Sequence, residues 1–503
     1  MHILNKEQLK FVDEFTIQHE PISSILLMER AARACVIKIL KFINENTAIF
    51  VFCGKGNNGG DGLAITRMLL ERGYNAKACL INYTDVFSND CKENYDRLKE
   101  IPNSIIEINS EDDLKQLNLS ANPIAIDAIF GSGLNKPLSE LTAETAKFIN
   151  FYFKEVISID CPSGLFIDIP NAKDDTIVNS TITFTFQFPK LSFLLAQNAP
   201  YVPYFEIIDI GLHPDAIKNI STKFNYITKD LVRKLITKRT KFSHKGTYGH
   251  ALILAGKNTM RGAALLSAKA CLKSGAGKLT VHSVANVAST LISQLPEAML
   301  SIDANTFHIT ELPNLDAFDA VAIGPGLGTE EETQTVLKKL LNYNSATLVI
   351  DADALNILSE NKTWLSFLPP ETILTPHPSE FDRLTEKHSN DFERLASAMQ
   401  FALKNRCILI LKGAHTAICF PDGTVYFNSS GNPGMAKGGS GDVLTGILCG
   451  LLARGYSPAK ASIIGVFVHG FAADLILKKS SIESILASEI INTLGKAFLK
   501  LEK

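Results

Sequence analysis

The chain has almost no net charge, no paired cysteine motif, no long unbroken apolar run and no Walker A pattern, and each absence removes a class of function. Fifty basic side chains stand against fifty-two acidic ones, a formal net charge of −2. This balance excludes the electrostatic footprint of a nucleic-acid or anionic-membrane binder, so phosphate recognition has to come from local backbone amides. The nine cysteines include no C-x-x-C pair and sit mostly in apolar runs such as Val51-Phe52-Cys53 and Cys407-Ile408-Leu409. Buried free thiols in a reducing cytosol are the expectation. The first residues, Met1-His2-Ile3-Leu4-Asn5-Lys6-Glu7-Gln8, lack the apolar core of a signal peptide, and the most apolar late segment, 463–477, is broken by His469 and Asp474. Neither export nor a membrane span is expected, which gives a cytoplasmic location and no membrane partner. The pattern G-x-x-x-x-G-K-[ST] occurs nowhere, which removes the P-loop reading. No repeat or low-complexity tract is evident.

What the chain does have is an ordinary globular composition, 46% hydrophobic and 20% charged over 503 residues. That length suits roughly three domains of ~150 residues, or two larger ones. Strand-like runs ending in Gly or Asp alternate with helical patterns throughout, the mark of α/β domains with largely parallel sheets. A first series contains strands at 49–53, 76–81, 124–127 and 156–160. A second contains 251–254, 320–323, 347–350 and 407–411, then a hairpin from Ala417 to Phe427 turning at Pro421-Asp422-Gly423. A polar stretch at 218–229 and the basic run Lys238-Arg239-Thr240-Lys241 separate the two series. The boundary falls near residue 220, giving domains 1–218 and 219–503.

In the first series, Gly54-Lys55-Gly56-Asn57-Asn58-Gly59-Gly60-Asp61-Gly62 follows a strand and opens a helix with Ile65, Met68 and Leu69 on one face. Gly54-x-Gly56-x-x-Gly59 in this setting lets a pyrophosphate approach the backbone, and taken alone it suggests a nicotinamide dehydrogenase. The Asn57-Asn58 pair and Asp61 add side-chain ligands that a plain dinucleotide turn does not need. Asp127 and Asp160 each close a strand before a glycine-bearing turn, Gly131-Ser132-Gly133-Leu134-Asn135-Lys136-Pro137 and Cys161-Pro162-Ser163-Gly164. These strand ends converge on one crevice. Asn58, Asp127 and Ser163 would offer hard oxygen ligands of low total charge, suiting a monovalent cation better than zinc; all three are equally ordinary turn and cap residues.

The second series carries Gly438-Gly439-Ser440-Gly441-Asp442, where glycines feed a helix whose Val443, Leu444, Ile447, Leu448, Leu451 and Leu452 recur at helical spacing. Unpaired amides and the positive end of the helix dipole favour phosphate there. Asp442 is either a base beside an acceptor hydroxyl or a helix cap. Around it stand Gly324-Pro325-Gly326-Leu327-Gly328, Asp351-Ala352-Asp353, Thr375-Pro376-His377-Pro378-Ser379-Glu380 and Lys412-Gly413-Ala414-His415-Thr416, each after a strand-like run. Together they would ring the C-terminal edge of one sheet, where a nucleotide and a second substrate could meet. Glu380 is a candidate to organise Mg²⁺ and Lys412 to hold the nucleotide. His377 would contact substrate or serve the loop, and Asp351 and Asp353 would be ligands or caps. Lys437 would reach the phosphates or stay solvated.

These motifs carry a resemblance over almost the entire chain. From about residue 225 onward, Lys245-Gly246-Thr247-Tyr248-Gly249-His250, Pro296-Glu297-Ala298-Met299 and the segments 324–328, 351–356, 375–380 and 438–442 resemble the nicotinamide nucleotide-hydrate dehydratases, relatives of the ribokinase-like kinases. Over about 1–215, Met28-Glu29-Arg30-Ala31 with 54–62, 127–137 and 160–164 resembles the NAD(P)H-hydrate epimerases. In this order the two halves resemble the bifunctional NAD(P)H-hydrate repair family. The resemblance implies a Rossmann-like three-layer α/β domain followed by a ribokinase-like α/β domain. It implies two activities, a lyase and an isomerase, acting on NADH or NADPH hydrated at C6 of the nicotinamide ring (NADHX, NADPHX). The first domain would interconvert the R and S epimers. The second would phosphorylate the S hydroxyl from ADP, yielding NAD(P)H, AMP and phosphate.

By the same resemblance, Asn57, Asn58, Gly59, Gly60, Asp61 and the run Gly131, Ser132, Gly133, Leu134, Asn135, Lys136 and Pro137 would contact the hydrate in the epimerase, with Asp160 catalytic beside the ring. Asn58, Asp127 and Ser163 would bind K⁺. Ala263, Gly326, His377 and Asp442 would face the hydrate in the dehydratase, with Asp442 catalytic. Lys412, Gly413, Ala414, His415, Thr416 and Gly441 would hold ADP. Ser379 stands where glycine is more usual in the family. A homo-oligomer that binds no nucleic acid is expected. The alternative is a ribokinase-like small-molecule kinase with a non-catalytic N-terminal binding module, against which the intact Asn58, Asp61, Asp127 and Asp160 weigh.

Overall fold

The computed structural model describes residues 1–119, 122–343 and 347–502, and they form two compact units, one of 2–222 and one of 223–503 joined by Met1. In the N-terminal unit, β1 (Ile49–Cys53), β2 (Ala76–Ile81), β3 (Ile105–Ile108), β4 (Ile124–Ala128), β5 (Glu155–Ile159), β6 (Ile182–Phe186) and β7 (Phe205–Ile208) form one parallel sheet. Its order, β3-β2-β1-β4-β5-β6-β7, reverses direction between β1 and β4. A doubly wound sheet opens a crevice at that switch point, outside the carboxyl ends of its strands.

Both faces of this sheet are covered because its strands are apolar on both sides. Val51 and Cys53 pack with the helices Ser24–Ile39 and Asn57–Leu70, whereas Phe50 and Phe52 pack with Ile149 of the helix Glu140–Tyr152 on the other face. The β1 glycines make a tight entry into the next helix. A Cβ on Gly59 would overlap the Gly54 carbonyl, and one on Gly54 would overlap the Ile129 carbonyl. Both glycines are thus needed to bring strand, turn and helix together, whereas Gly56 has open space around its Cβ position.

The C-terminal unit holds β8 (Phe224–Tyr226), β9 (His250–Leu254), β10 (Lys278–Ser283), β11 (Met299–Ile302), β12 (Ala320–Ile323), β13 (Thr347–Ile350), β14 (Ile373–Leu374), β15 (Ile408–Leu411), β16 (Ala417–Cys419) and β17 (Val425–Phe427). Their order is β11-β10-β9-β12-β13-β14-β15-β16-β17-β8, parallel except for the hairpin pairs made by β16. Consecutive parallel strands β12 to β15 bring their following loops to one sheet edge. The sequence reading omits β3, β6, β7, β8, β10, β11 and β14. Of these, β14 is two residues long, and β11 is largely exposed, so neither shows an apolar run.

The helix Ser440–Ala453 lies against the helix Arg261–Lys273 at near backbone contact, since a Cβ on Gly446 would overlap the Ser267 carbonyl and one on Gly450 the Cys271 carbonyl. Gly446→Ala should therefore push these helices apart and cost about 1–3 kcal/mol despite the better helix propensity of alanine. A lowered thermal transition of the C-terminal unit, read by calorimetry, is the expected result. The helix Pro458–Ile476 is long and apolar enough to cross a membrane, but 67% of its apolar window is buried inside the protein. All nine cysteines are free and buried.

Candidate active sites

A cavity of about 1190 Å³ opens in the N-terminal unit at the switch point of its sheet. Asn57, Asn58, Asp61, residues 131–137 and Asp160 line it, together with Asp13 of the helix Lys6–His19. Gly59 and Gly60 do not line it: they are buried, Gly59 against the Gly54 backbone and Gly60 against Met28. Met28 of the Met28-Glu29-Arg30 motif thus packs under the site. Glu29 holds Arg67 and Arg97, and Arg30 holds Glu20, so this motif fixes helices.

Asp160 sits just past β5 with φ +63°, a left-handed conformation that turns its carboxylate back into the crevice. Its Oδ2 accepts the Ser132 N–H at 2.8 Å, its Oδ1 accepts the Phe186 N–H at 3.4 Å, and Lys190 pairs with it at 3.1 Å. Burial alone would raise this carboxyl, but the Lys190 ammonium and the Ser132 donor outweigh it and hold Asp160 below the ordinary carboxylate range. Lys190, whose side chain is 1% exposed, also donates to the carbonyls of Phe186 and Phe188 at 3.3 Å. The sequence reading misses Lys190, although a lysine inside Phe188-Pro189-Lys190-Leu191 is itself a signal of burial.

Asp61 is raised well above its usual range by burial and then by Asp160, Asp13 and Asp90. Asp13 is exposed along the open cavity, and the surrounding protein and the Asp160 charge, opposed by Lys190, push its carboxyl up to about 6. Nothing in the sequence separates Asp13 from the other charges on its helix.

The cation expectation has a mixed geometry. Both amide atoms of Asn58 are buried without a partner, the state of a ligand that expects one. Asp127 is fully buried on β4 and accepts Ser163 Oγ at 2.5 Å, the Ser163 N–H at 2.8 Å and Ser158 Oγ at 2.8 Å. Asp127 and Ser163 are thus already bonded to each other and line no part of the cavity. Asp127 also accepts the Ile129 N–H at 3.4 Å and Ser163 Oγ the Phe130 N–H at 2.9 Å, so of the three residues Asn58 alone offers an unpartnered oxygen.

In the C-terminal unit, Gly439 with φ +90° occupies the N-cap of the helix Ser440–Ala453, which leaves Asp442 in its first turn. Among the described residues the Asp442 side chain makes no hydrogen bond, so its reading as a cap fails. Burial and Asp351, offset in part by Lys412, push its carboxyl up to about 6. Asp351 stands at the N-cap position of the helix Ala352–Glu360, and its side chain is tied down elsewhere. Its Oδ1 accepts Lys412 Nζ at 3.0 Å and its Oδ2 accepts Thr445 Oγ1 at 2.6 Å. Burial raises the Asp351 carboxyl, and Lys412 and Thr445 more than reverse it, so Asp351 stays ionised. Asp353 accepts the Gly328 N–H at 2.8 Å and so shapes the 324–328 loop.

His377 caps the helix Pro378–Leu384 through Nδ1, which accepts the Glu380 N–H at 3.2 Å and Ser379 Oγ at 2.9 Å, while its own N–H goes to Glu380 at 2.8 Å. Ser379 therefore fits without a left-handed backbone. Glu380 is engaged by this capping box and stands 3.7 Å from Lys412, and no group of three or more His, Cys, Asp or Glu side chains suited to a metal exists among the described residues. Lys437 is exposed, and its ammonium donates to the Glu483 carbonyl. Gly326, with φ +58°, packs on Ala263, and Lys412 comes within 3.6 Å of where a Gly441 Cβ would lie. Thr416 closes the Lys412–Thr416 turn by bonding Gly413, and His415 turns inward to the Asn428 carbonyl at 3.1 Å. The buried His469, lowered to about 4, lies 3.3 Å from Ser440 Oγ and is a neutral support that sequence reading misses.

Fold and sites define a two-domain α/β enzyme, with an acid-lined cavity on one sheet and an anion-type helix N-terminus bearing a free carboxylate on the other. Residues 251–496 match the NAD(P)H-hydrate dehydratase family and residues 24–192 the family described as YjeF-related protein N-terminus. Over 521 residues the chain is 33% identical to a bifunctional NAD(P)H-hydrate repair enzyme of Moorella thermoacetica, covering 100% of this chain and 98% of that one. A repair enzyme of Thermofilum pendens is 32% identical over 515 residues, covering 100% and 97%. Among solved structures, a ribokinase-like superfamily protein of Enterococcus faecalis is 29% identical with a TM-score of 0.50, over 56% of this chain and 99% of that one. The chain belongs to the bifunctional NAD(P)H-hydrate repair enzymes.

Proposed function

We propose that this chain repairs hydrated nicotinamide dinucleotides, its N-terminal unit interconverting R- and S-NAD(P)HX and its C-terminal unit dehydrating the S form with ADP. The observation that carries the second activity is Asp442, a carboxylate without a hydrogen bond, set behind the amides of Gly439 to Gly441 and beside Lys412. A base near neutral range takes the proton of the C6 hydroxyl as the β-phosphoryl group of ADP arrives, while the helix N-terminus and Lys412 hold the charge on the transferred group. AMP leaves first; loss of phosphate from C6 and of a proton from C5 then restores the ring double bond. Gly326 lets its loop pack closely on Met260 and Ala263, and the Lys412–Thr416 turn suits the nucleotide.

Mg²⁺ would neutralise phosphate charge when bound, and Glu380, beside Lys412, would help to hold it. In the N-terminal unit, Asn58, Asp127 and Ser163 would hold K⁺, which would supply a positive charge beside the cavity. Asp160 acts there through its charge, held in place by Lys190. The nine buried thiols suit a reducing, cytoplasmic setting.

The test mixes purified protein with R/S-NADHX, ADP, Mg²⁺ and K⁺ and follows the return of reduced-nicotinamide absorbance. Full recovery is expected. No recovery overturns the proposal, and recovery of the S fraction alone overturns its epimerase half.

A further inference from the structure

We propose that Asp61 and Asp13 are the proton-transfer pair of the N-terminal cavity, Asp61 protonating the C6 hydroxyl of the hydrated ring and Asp13 deprotonating the water that returns. This rests on the epimerase reading of the cavity and adds to it the acid and the base.

Four aspartates reach the cavity from separate elements: Asp13 from the helix Lys6–His19, Asp61 from the helix Asn57–Leu70, Asp90 from the helix Asn89–Lys99, where it accepts a hydrogen bond from Ser24 Oγ, and Asp160 from the turn after β5. Their bonding differs. Asp160 is held by Lys190, the Ser132 N–H and the Phe186 N–H, and a carboxylate so engaged is a poor proton acceptor. Among the described residues, neither the Asp13 nor the Asp61 side chain makes a hydrogen bond or an ion pair. Both are free to meet a substrate hydroxyl or a water.

Their surroundings set them in opposite states. Asp61 is buried and faces Asp160, Asp13 and Asp90, which together raise its carboxyl well above the ordinary range and favour the protonated form. Asp13 faces Asp160, Lys190 and Glu14, with Lys6 and Lys10 also on the cavity wall, and its carboxyl at about 6 is ionised at neutral pH. One protonated and one ionised carboxyl in one cavity is the arrangement an acid–base pair requires.

The chemistry balances. C6 carries the hydroxyl and is bonded to the ring nitrogen N1. Asp61 gives its proton to the hydroxyl oxygen, the C6–O bond breaks with its electron pair on the departing water, and the N1 lone pair forms an N1=C6 double bond. A water then adds to the opposite face of C6, the N1=C6 pair returns to nitrogen, and the surplus proton passes to Asp13. The carboxyls have exchanged protonation states, and the reverse epimerisation restores them, as does exchange with cavity water.

The experiment follows R/S interconversion by chromatography, using the full chain and a single NADHX epimer without ADP, so that no dehydration intervenes. Wild-type protein should interconvert the epimers with a rate that rises through about pH 6 as Asp13 ionises. Asp13→Asn and Asp61→Asn should each lose about 10²-fold or more. Asp13→Glu should restore part of the rate, and the rise near pH 6 should vanish in Asp13→Asn. Thermal unfolding checks that each variant is folded. Should Asp61→Asn fail to fold, the Asp13 variants decide. Wild-type rates in Asp13→Asn, or persistence of the pH 6 rise in that variant, overturn the pair. A wild-type protein that interconverts nothing overturns the epimerase reading instead.

Discussion

Asp442→Asn should abolish ADP-dependent dehydration, lowering it about 10²- to 10⁴-fold, while R/S interconversion proceeds at the wild-type rate. The asparagine is isosteric and, among the described residues, Asp442 makes no side-chain hydrogen bond that it could break, so the loss would be chemical. Wild-type dehydration should also rise with pH through about 6, because burial and Asp351 raise the carboxyl and the base works only when ionised. Single-turnover rates on S-NADHX across pH 5 to 8 measure both. A variant that keeps the wild-type rate would show that Asp442 is not the base. A normal rate with a lost pH dependence is not compatible with general-base action either.

Lys190→Met should destabilise the N-terminal unit by about 3–5 kcal/mol, the usual result of leaving one buried charge without its partner. The side chains of Lys190 and Asp160 are 1% and 9% exposed, so water cannot replace the lost ammonium. In the wild type, Asp160 lies below its ordinary range, which stabilises the fold above the unfolded carboxylate range and is lost as pH falls through the folded value. Without Lys190, burial is less opposed and the Asp160 carboxyl moves up. The variant should then be most impaired at neutral pH, and its deficit should shrink as acid protonates Asp160. Denaturant titration at pH 7.5 and pH 5 checks the sign. The double variant Lys190→Met with Asp160→Asn should recover part of the loss, and a deficit equal to the sum of both single variants would exclude coupling.

Much of the fold was legible because parallel strands buried on both faces are continuous apolar runs. Ile49–Cys53, Ile124–Ala128 and Ala320–Ile323 read as strands without any knowledge of their neighbours. Exposed or very short strands, such as Met299–Ile302 and Ile373–Leu374, carry no such run because their existence depends on the strand beside them. The glycine turn after β1 was legible as a turn but not in its purpose. Gly54 and Gly59 serve backbone packing, and only the overlap at their Cβ positions reveals this.

The candidate sites divide in the same way. The motifs put Asn58, Asp61, Asp160, Asp351 and Lys412 just past strand ends and Asp442 at a helix N-terminus, and the end of a strand in a parallel sheet is a functional address whatever the tertiary detail. Sequence could not say which carboxylates are free. Asp351 and Asp442 read alike as helix-start aspartates, yet the first is bonded to Lys412 and Thr445 and the second to nothing. Likewise His377 and Glu380 read as ligands and are occupied with each other.

The sequence by itself determined two α/β domains, the strand ends that carry the chemistry and the family that combines them, since hydrophobic period, glycine punctuation and ordered motifs are local properties. Tertiary structure alone decided protonation and availability. Those depend on burial and on partners distant in the chain, such as Lys190 for Asp160 and Lys412 for Asp351, and on the unbonded state of Asp13, Asp61 and Asp442.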